Sequence, residues 1–225
     1  MFASGLSVDY GPNVLIAKPG DSIAEGDGTD VGLSGGAERP VVGKQDLAPN
    51  IKLGLRFPSA QVLNHSDSRP WHLAQFLRSD GRFRILFFAG NLQDRTQWRR
   101  VVDFCNSISD SQSFLSRFTP PTGKLDSVIE ILTIHSGPRV GLDLLSLPEI
   151  LRPFDKTTGW DYDKVFVDDE SYHEGHGEAY KKWGIEKEMG CVVILRPDQH
   201  VGWIGELEDI EEMDKYFSEI LIHQR

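Results

Sequence analysis

A chain of 225 residues with 39% hydrophobic and 26% charged residues can build a real core and is not disordered throughout; its length suits one domain, or one domain with a long extension. The formal net charge of −10 repels a phosphate backbone, which argues against nucleic acid as a partner. The start, "MFASGLSVDYGPNVLIAKPG", has neither the basic region nor the apolar stretch of a secretory signal, and no run approaches the ~20 apolar residues that span a bilayer, so a soluble cytoplasmic protein without a membrane partner is expected.

In chain order, "VLIA" (Val14 to Ala17) is a candidate short strand. Lys18 to Gln45, rich in Gly and Asp and without a period, reads as a long surface excursion. Extended pieces follow, punctuated by Pro49, Gly54 and Pro58. Residues 1–65 hold too few clustered apolar side chains to fold alone and are expected to form an extended arm packed on a core of residues 66–225. Trp71, Leu73, Phe76 and Leu77 suit one side of a short helix, and Asp80-Gly81 then turns the chain into "FRILFFAG", Phe83 to Gly90, whose near-continuous apolar character predicts a strand covered on both faces. Trp98, Val101, Val102, Cys105 and Ile108 recur at helical spacing, predicting a helix from about Asp94 to Ser109. "SVIEILTIH", Ser127 to His135, is a second buried strand; strand, helix, strand with both strands apolar is a βαβ unit and therefore a parallel pair.

"LDLLSLPEIL" reads as a loop or helical turn, "KVFVDD" (Lys164 to Asp169) as a third strand, and "GHGEAYKKWGI" as a short helix that Gly184 can cap. "CVVILRP" and "HVGWIGEL" predict an antiparallel hairpin across Pro197, Asp198 and Gln199. The stripe Ile210, Met213, Phe217 and Ile220 or Leu221 predicts a closing helix, with Glu206, Glu208, Asp209, Glu211 and Glu212 crowded at its start, where the macrodipole favours carboxylates.

The order β-α-β, then β-α-β-β-α, preceded by an extended arm, is an α/β, thioredoxin-like arrangement: a mixed sheet with helices on both faces. Thiol–disulfide exchange does not go with it. The loop after the first core strand, "AGNLQDRTQW", contains no cysteine, and Cys105 and Cys191 are far apart in apolar surroundings, as expected of buried, reduced thiols.

"RPDQHVGW" with the acidic cluster and "YFSEIL" behind it, together with "FASGLSVDYGPN", "LAPNIKLGLRFPSAQV", "RPWHLAQFLRSDGRFRILFFAG" and "VFVDDESYHEGHGEAYKKWGI", resembles the C-terminal domain of phenol 2-monooxygenase-type, FAD-dependent aromatic hydroxylases. The resemblance covers essentially the whole chain and implies a thioredoxin-like dimerisation domain, here free-standing. It carries over no flavin or NADPH site: "GDGTDVGLSGG" lacks the flanking strand and helix of a dinucleotide fingerprint, so no cofactor is expected.

"DDESYHEGHG" is the densest set of functional side chains. A His173/His176 pair at i, i+3 suggests zinc, but Gly175 and Gly177 argue against a helix there and no four-ligand set is evident, so no metal is expected. The plainer reading ends a strand at Asp168-Asp169 and lets His176 or a neighbour cap the next helix. The sharper reading places Ala89-Gly90-Asn91, His135-Ser136 and Asp168-Asp169 at the carboxyl edge of the parallel strands, where open α/β sheets bind ligands. There His176 or His173 would act as general acid or base, with Tyr172 or Asp168 as partner and His135 nearby. Arg139 is read as a surface ion pair with Asp143 rather than a ligand clamp, and Trp160 and Trp203, beside glycines, are candidates for an aromatic pocket.

Three functions compete. The first is an interaction module that forms a homodimer or docks on a flavin monooxygenase partner. The second is a cofactor-free enzyme of phenolic or polyketide metabolism that moves a proton in an isomerisation, dehydration or cyclisation. The third is a binder of aromatic metabolites.

Overall fold

The computed structural model describes residues 8–19 and 41–224. Within them the strands are β1 (Gln61–Asn64), β2 (Pro70–His72), β3 (Phe83–Gly90), β4 (Ile129–His135), β5 (Phe154–Asp155), β6 (Gly159–Trp160), β7 (Val165–Val167), β8 (Glu170–Ser171), β9 (Gly175–His176), β10 (Cys191–Leu195) and β11 (Val201–Gly205). The helices are α1 (Arg95–Ser109), α2 (Phe114–Phe118), α3 (Ala179–Trp183) and α4 (Ile210–Ile220).

Seven strands form one mixed sheet in the order β11-β10-β3-β4-β7-β1-β2. β3, β4 and β7 run parallel, while β10 is antiparallel to β3 and to β11. Strand, helix and parallel strand, then a strand, helix and closing hairpin with a last helix, is the thioredoxin-like arrangement. Every residue of β3 and β4 is buried, and the period of two sorts them between two cores. Phe83, Ile85, Phe87, Ile129 and Ile131 pack with Val101, Phe104 and Ile108 of α1, Phe114 and Phe118 of α2, and Met213 and Phe217 of α4. Leu86, Phe88, Leu132 and Ile134 face the opposite way, against Tyr180 and Trp183 of α3 and against Ile51, Leu53 and Phe57 of the N-terminal third. That third therefore contributes Ala48, Ile51, Leu53, Phe57, Ala60 and Val62 to one of the two cores.

The N-terminal segments also close a sheet edge. Ala17 N–H donates to Gly202 O (2.8 Å), Lys44 N–H to Ile204 O (2.7 Å) and Val201 N–H to Leu55 O (2.9 Å), so β11 is not left open. At the other edge, Pro70 has no N–H and His72 N–H donates to Gln75 Oε1 (3.2 Å), which blunts β2 against strand addition.

Several expectations are revised. "VLIA" is not a strand: Val14 and Leu15 form a tight turn closed by reciprocal bonds between Asn13 and Ile16, and Asn13 Oδ1 accepts from Leu15 N–H (2.9 Å). Most of the Gly/Asp-rich stretch, residues 20–40, lies outside the described residues. The short helix around Trp71 shrinks to a 3-10 turn, Leu73–Phe76, because Pro70 to His72 instead pair with β1. β1 belongs to the main sheet although it falls within residues 1–65, and it pairs across that boundary with β2. "LDLLSLPEIL" holds two 3-10 turns, Leu144–Ser146 and Glu149–Leu151. Gly184 ends α3 at φ +74°, donating to Lys181 O (3.2 Å). No helix of the described residues is long and apolar enough to cross a membrane.

Candidate functional site

Three parallel strands deliver their carboxyl ends to one edge. Tyr180 of α3 ties two of them, its hydroxyl donating to Ile134 O (2.7 Å) and accepting from Gly90 N–H (3.1 Å). Full burial raises its pKa well above the ordinary phenol value, so it stays a donor. Asp168 follows β7: its N–H donates to His135 O (2.9 Å), and its buried carboxylate accepts from Ala179 N–H (2.8 Å) and Tyr180 N–H (3.0 Å). Asp168 thus satisfies the orphan donors at the start of α3, a capping role that the plainer reading expects of His176 or a neighbour.

His176 lies beside it, Nδ1 3.5 Å from Asp168 Oδ1. The same Nδ1 accepts from Glu178 N–H (2.8 Å). A nitrogen that accepts a backbone proton cannot also present a proton to a carboxylate, so neutral His176 is not oriented by Asp168 as a general base would be. The nitrogen left for proton transfer is Nε2.

Tyr172 and His173 occupy the tip of the β8–β9 hairpin, their rings edge-on with centroids 4.8 Å apart. Tyr172 is 96% exposed. His135 is sealed in the interior, where its Nε2 lies 2.9 Å from His65 Nδ1, while His65 Nε2 donates to Leu142 O (3.1 Å). Burial, and then His65, push the His135 pKa down to about 3. The structure therefore brings Asp168 and His176 together, and it separates Tyr172 and His173 outward and His135 inward.

Beside these residues is a hollow of about 420 Å3 whose rim includes Arg69, Arg139, Val140, Asp169, Tyr172 and Glu174. Arg139 donates its backbone N–H to Asp169 (2.8 Å), and Asp143 caps the turn at Leu145 instead of pairing with Arg139; among the described residues no Arg139–Asp143 ion pair forms. A larger cleft of about 950 Å3 lies at the opposite end of β4, and Trp160 stands on its wall, whereas Trp203 is sealed in the core. Among the described residues no group of three or more His, Cys, Asp or Glu could hold a metal ion. Cys105 and Cys191 are free thiols on opposite faces of the sheet; burial alone raises Cys105 to about 12 and Cys191 further still.

Sequence reading missed two clusters. One is the His65 half of the histidine pair, for which a lone His after a strand gave no signal. The other is a buried ion cluster. Arg84 Nε meets Glu130 Oε2 at 2.9 Å across the β3–β4 register, Glu130 also takes Lys164 and Arg82, and Arg84 reaches Asp80 at 2.8 Å. Its signal was available: "FRILFFAG" and "VIEILTIH" each carry a single charge, of opposite sign, inside an otherwise apolar run.

A family model described as the phenol hydroxylase C-terminal dimerisation domain matches residues 8–225. The chain is 32% identical over 224 residues to the FAD-dependent monooxygenase terD of Aspergillus terreus, covering 98% of this chain and 32% of that protein. It is 31% identical over 216 residues to phenol 2-monooxygenase fsqG of Aspergillus fumigatus, covering 96% and 32%. It is 32% identical over 179 residues to 3-hydroxybenzoate 4-monooxygenase of Comamonas testosteroni, covering 79% and 28%. The chain spans about a third or less of the length of these relatives.

Proposed function

Because this chain belongs to the family of phenol hydroxylase C-terminal dimerisation domains, we propose that it self-associates as a twofold homodimer and serves an FAD-dependent aromatic monooxygenase as its assembly module. Both edges of the main sheet are blunted, so a side-chain surface, rather than strand addition, is the means. A twofold interface must be complementary to itself. The observation that carries this assignment is the rim at the carboxyl edge, where Tyr172 is 96% and Val140 79% exposed, between arginines 69 and 139 and the acidic groups of Asp169, Glu170 and Glu174. Across a twofold axis the aromatic and aliphatic centres meet, and each arginine faces the other copy's carboxylates. Exposed apolar side chains grouped in this way are a feature of interaction surfaces.

Sedimentation equilibrium of the chain across micromolar concentrations tests the reading. The expected result is a reversible dimer that Val140→Asp and Tyr172→Asp convert to monomer with an unchanged circular-dichroism melt. A monomer at every concentration overturns self-association. A dimer that survives both substitutions moves the interface elsewhere.

A further inference from the structure

The turn of residues 186–190, which feeds β10, is tied to its surroundings through Met189. Gly190 N–H closes the turn on Glu186 O (2.9 Å). Met189 O accepts from Gln97 Nε2 and from Arg100 Nη1, at 3.0 Å each, and the same Gln97 nitrogen donates to Ala89 O near the end of β3 (2.8 Å). Ser136 Oγ, just past β4, donates to Lys187 O (2.5 Å). The turn therefore backs the carboxyl edge of the parallel strands.

The Met189 side chain points outward. It is 52% exposed, whereas Met213 is sealed in the core at 0%, and Met1 lies outside the described residues. Its sulfur nevertheless has a cation beside it, with Arg100 Nη1 3.7 Å from Sδ. That guanidinium is itself held: Nε and Nη2 meet the two oxygens of Glu208 (2.6 and 2.8 Å), and Nη1 meets Gln97 Oε1 (2.8 Å). A thioether is a weak acceptor for such a donor, while oxidation makes the same side chain polar and sets an oxygen on the sulfur. Hydrogen bonds from an ionised donor are the strong ones.

We propose that Met189 is a reversible oxidation site whose sulfoxide is captured by Arg100. The co-reactant is a hydroperoxide. The sulfur lone pair attacks the distal peroxide oxygen, the S–O bond forms as the O–O bond breaks, and the proton of the transferred oxygen passes to the departing one. Sulfur loses two electrons, and hydrogen peroxide is reduced to water. Capture fastens the turn to α1, so oxidation tightens the support of the carboxyl edge. Methionine sulfoxide reductases reverse the step.

The test treats the full chain with graded hydrogen peroxide. Peptide mass spectrometry follows the gain of one oxygen at each methionine, and hydrogen exchange follows the amides of residues 186–190. Met189 is expected to oxidise at least about tenfold faster than Met213 in the folded chain. Exchange in the turn is expected to slow about threefold after oxidation and to recover on treatment with the reductases. Met189→Leu should show no slowing. Arg100→Gln should still oxidise at Met189 without slowing, whereas Glu208→Gln, which breaks the same ion pair but keeps the guanidinium, should slow as the wild type does; circular-dichroism melts check that each variant folds. Equal oxidation of Met189 and Met213 overturns the site. Exchange that is unchanged or faster in the oxidised wild type, slowing that survives Arg100→Gln or Met189→Leu, or slowing lost in Glu208→Gln overturns the capture.

Discussion

His65 Nδ1 and His135 Nε2 stand 2.9 Å apart on either side of β7, and the proton positions around them are determined. His65 Nε2 donates to Leu142 O, so its Nδ1 must accept, and His135 Nε2 is the donor between the rings. His135 Nδ1 is then a buried acceptor with no partner. Adding a proton to His65 Nδ1 would set two N–H groups against each other, and adding one at His135 would bury an uncompensated charge.

Stability should therefore depend on pH through this pair. Burial lowers both pKa values, that of His135 to about 3, while the unfolded imidazoles keep their ordinary value near 6.5. The unfolded chain takes up protons first as pH falls, so this contribution is complete above the unfolded pKa and is lost below it. The expected slope approaches about 1.4 kcal/mol per pH unit for His135, and the lowered pKa of His65 adds in the same direction. Urea unfolding at pH 7.5, 6.5, 5.5 and 4.5 reads the slope as order-of-magnitude steps (about one such loss per unit below 6.5). A stability unchanged between pH 7.5 and 5 would show that the pair is protonated in the fold.

A second prediction concerns Glu130, the common partner of Arg82, Arg84 and Lys164. Burial opposes the Lys164 charge, but Glu130 and Asp126 outweigh it and hold its pKa up. Glu130→Leu leaves these cations facing an apolar side chain and should destabilise the fold by about 3–5 kcal/mol. The denaturant midpoint measures this, and a loss below about 1 kcal/mol would mean that water reaches the cluster.

Asp168 and His176 make opposite predictions for a capping role and a proton-transfer role. Asp168→Ala orphans the N–H groups of Ala179 and Tyr180 and should cost about 1–3 kcal/mol. His176→Ala removes only a partly exposed acceptor and should stay within about 0.5 kcal/mol. Thermal melts of the two variants separate these effects. A large loss in His176→Ala with a small one in Asp168→Ala would reverse the assignment of the cap.

The sequence revealed most about elements whose local pattern and tertiary role agree. β3 begins and ends where the apolar run "FRILFFAG" does, and α1 starts where Asp94 accepts from Thr96 and Gln97, because burial and capping fix both. What was illegible depended on distant partners. Trp71 has helical neighbours, yet pairing with Val62 makes it a strand residue. Strand direction brings the carboxyl ends of β3, β4 and β7 to one edge, but the roles of the residues there were not legible. Whether His176 Nδ1 faces Asp168 or the backbone of Glu178 is decided by the left-handed conformation at Glu178 (φ 48°), which no pattern announces. His135 was buried by His65, seventy residues earlier in the chain.

The last prediction tests the seal on β11. Gly202 lies where the chain of residues 15–17 crosses the strand: Ala17 N–H donates to Gly202 O, and Tyr216 Oη donates to Leu15 O at 2.9 Å directly above it. A side chain at Gly202 would meet Tyr216 Oη and the Leu15 carbonyl, so the obstacle is space and not backbone torsion. Gly202→Val should break the Tyr216–Leu15 bond and lift residues 15–17 away while the central strands stay paired. β11 would then carry unpaired backbone groups along an exposed edge, a template for strand addition. The expected signature is faster proteolytic cleavage near Ile16 together with concentration-dependent aggregation that the wild-type chain lacks. Cleavage at the wild-type rate would mean that the contacts of Lys44 and Leu55 with β11 are enough to hold the edge closed.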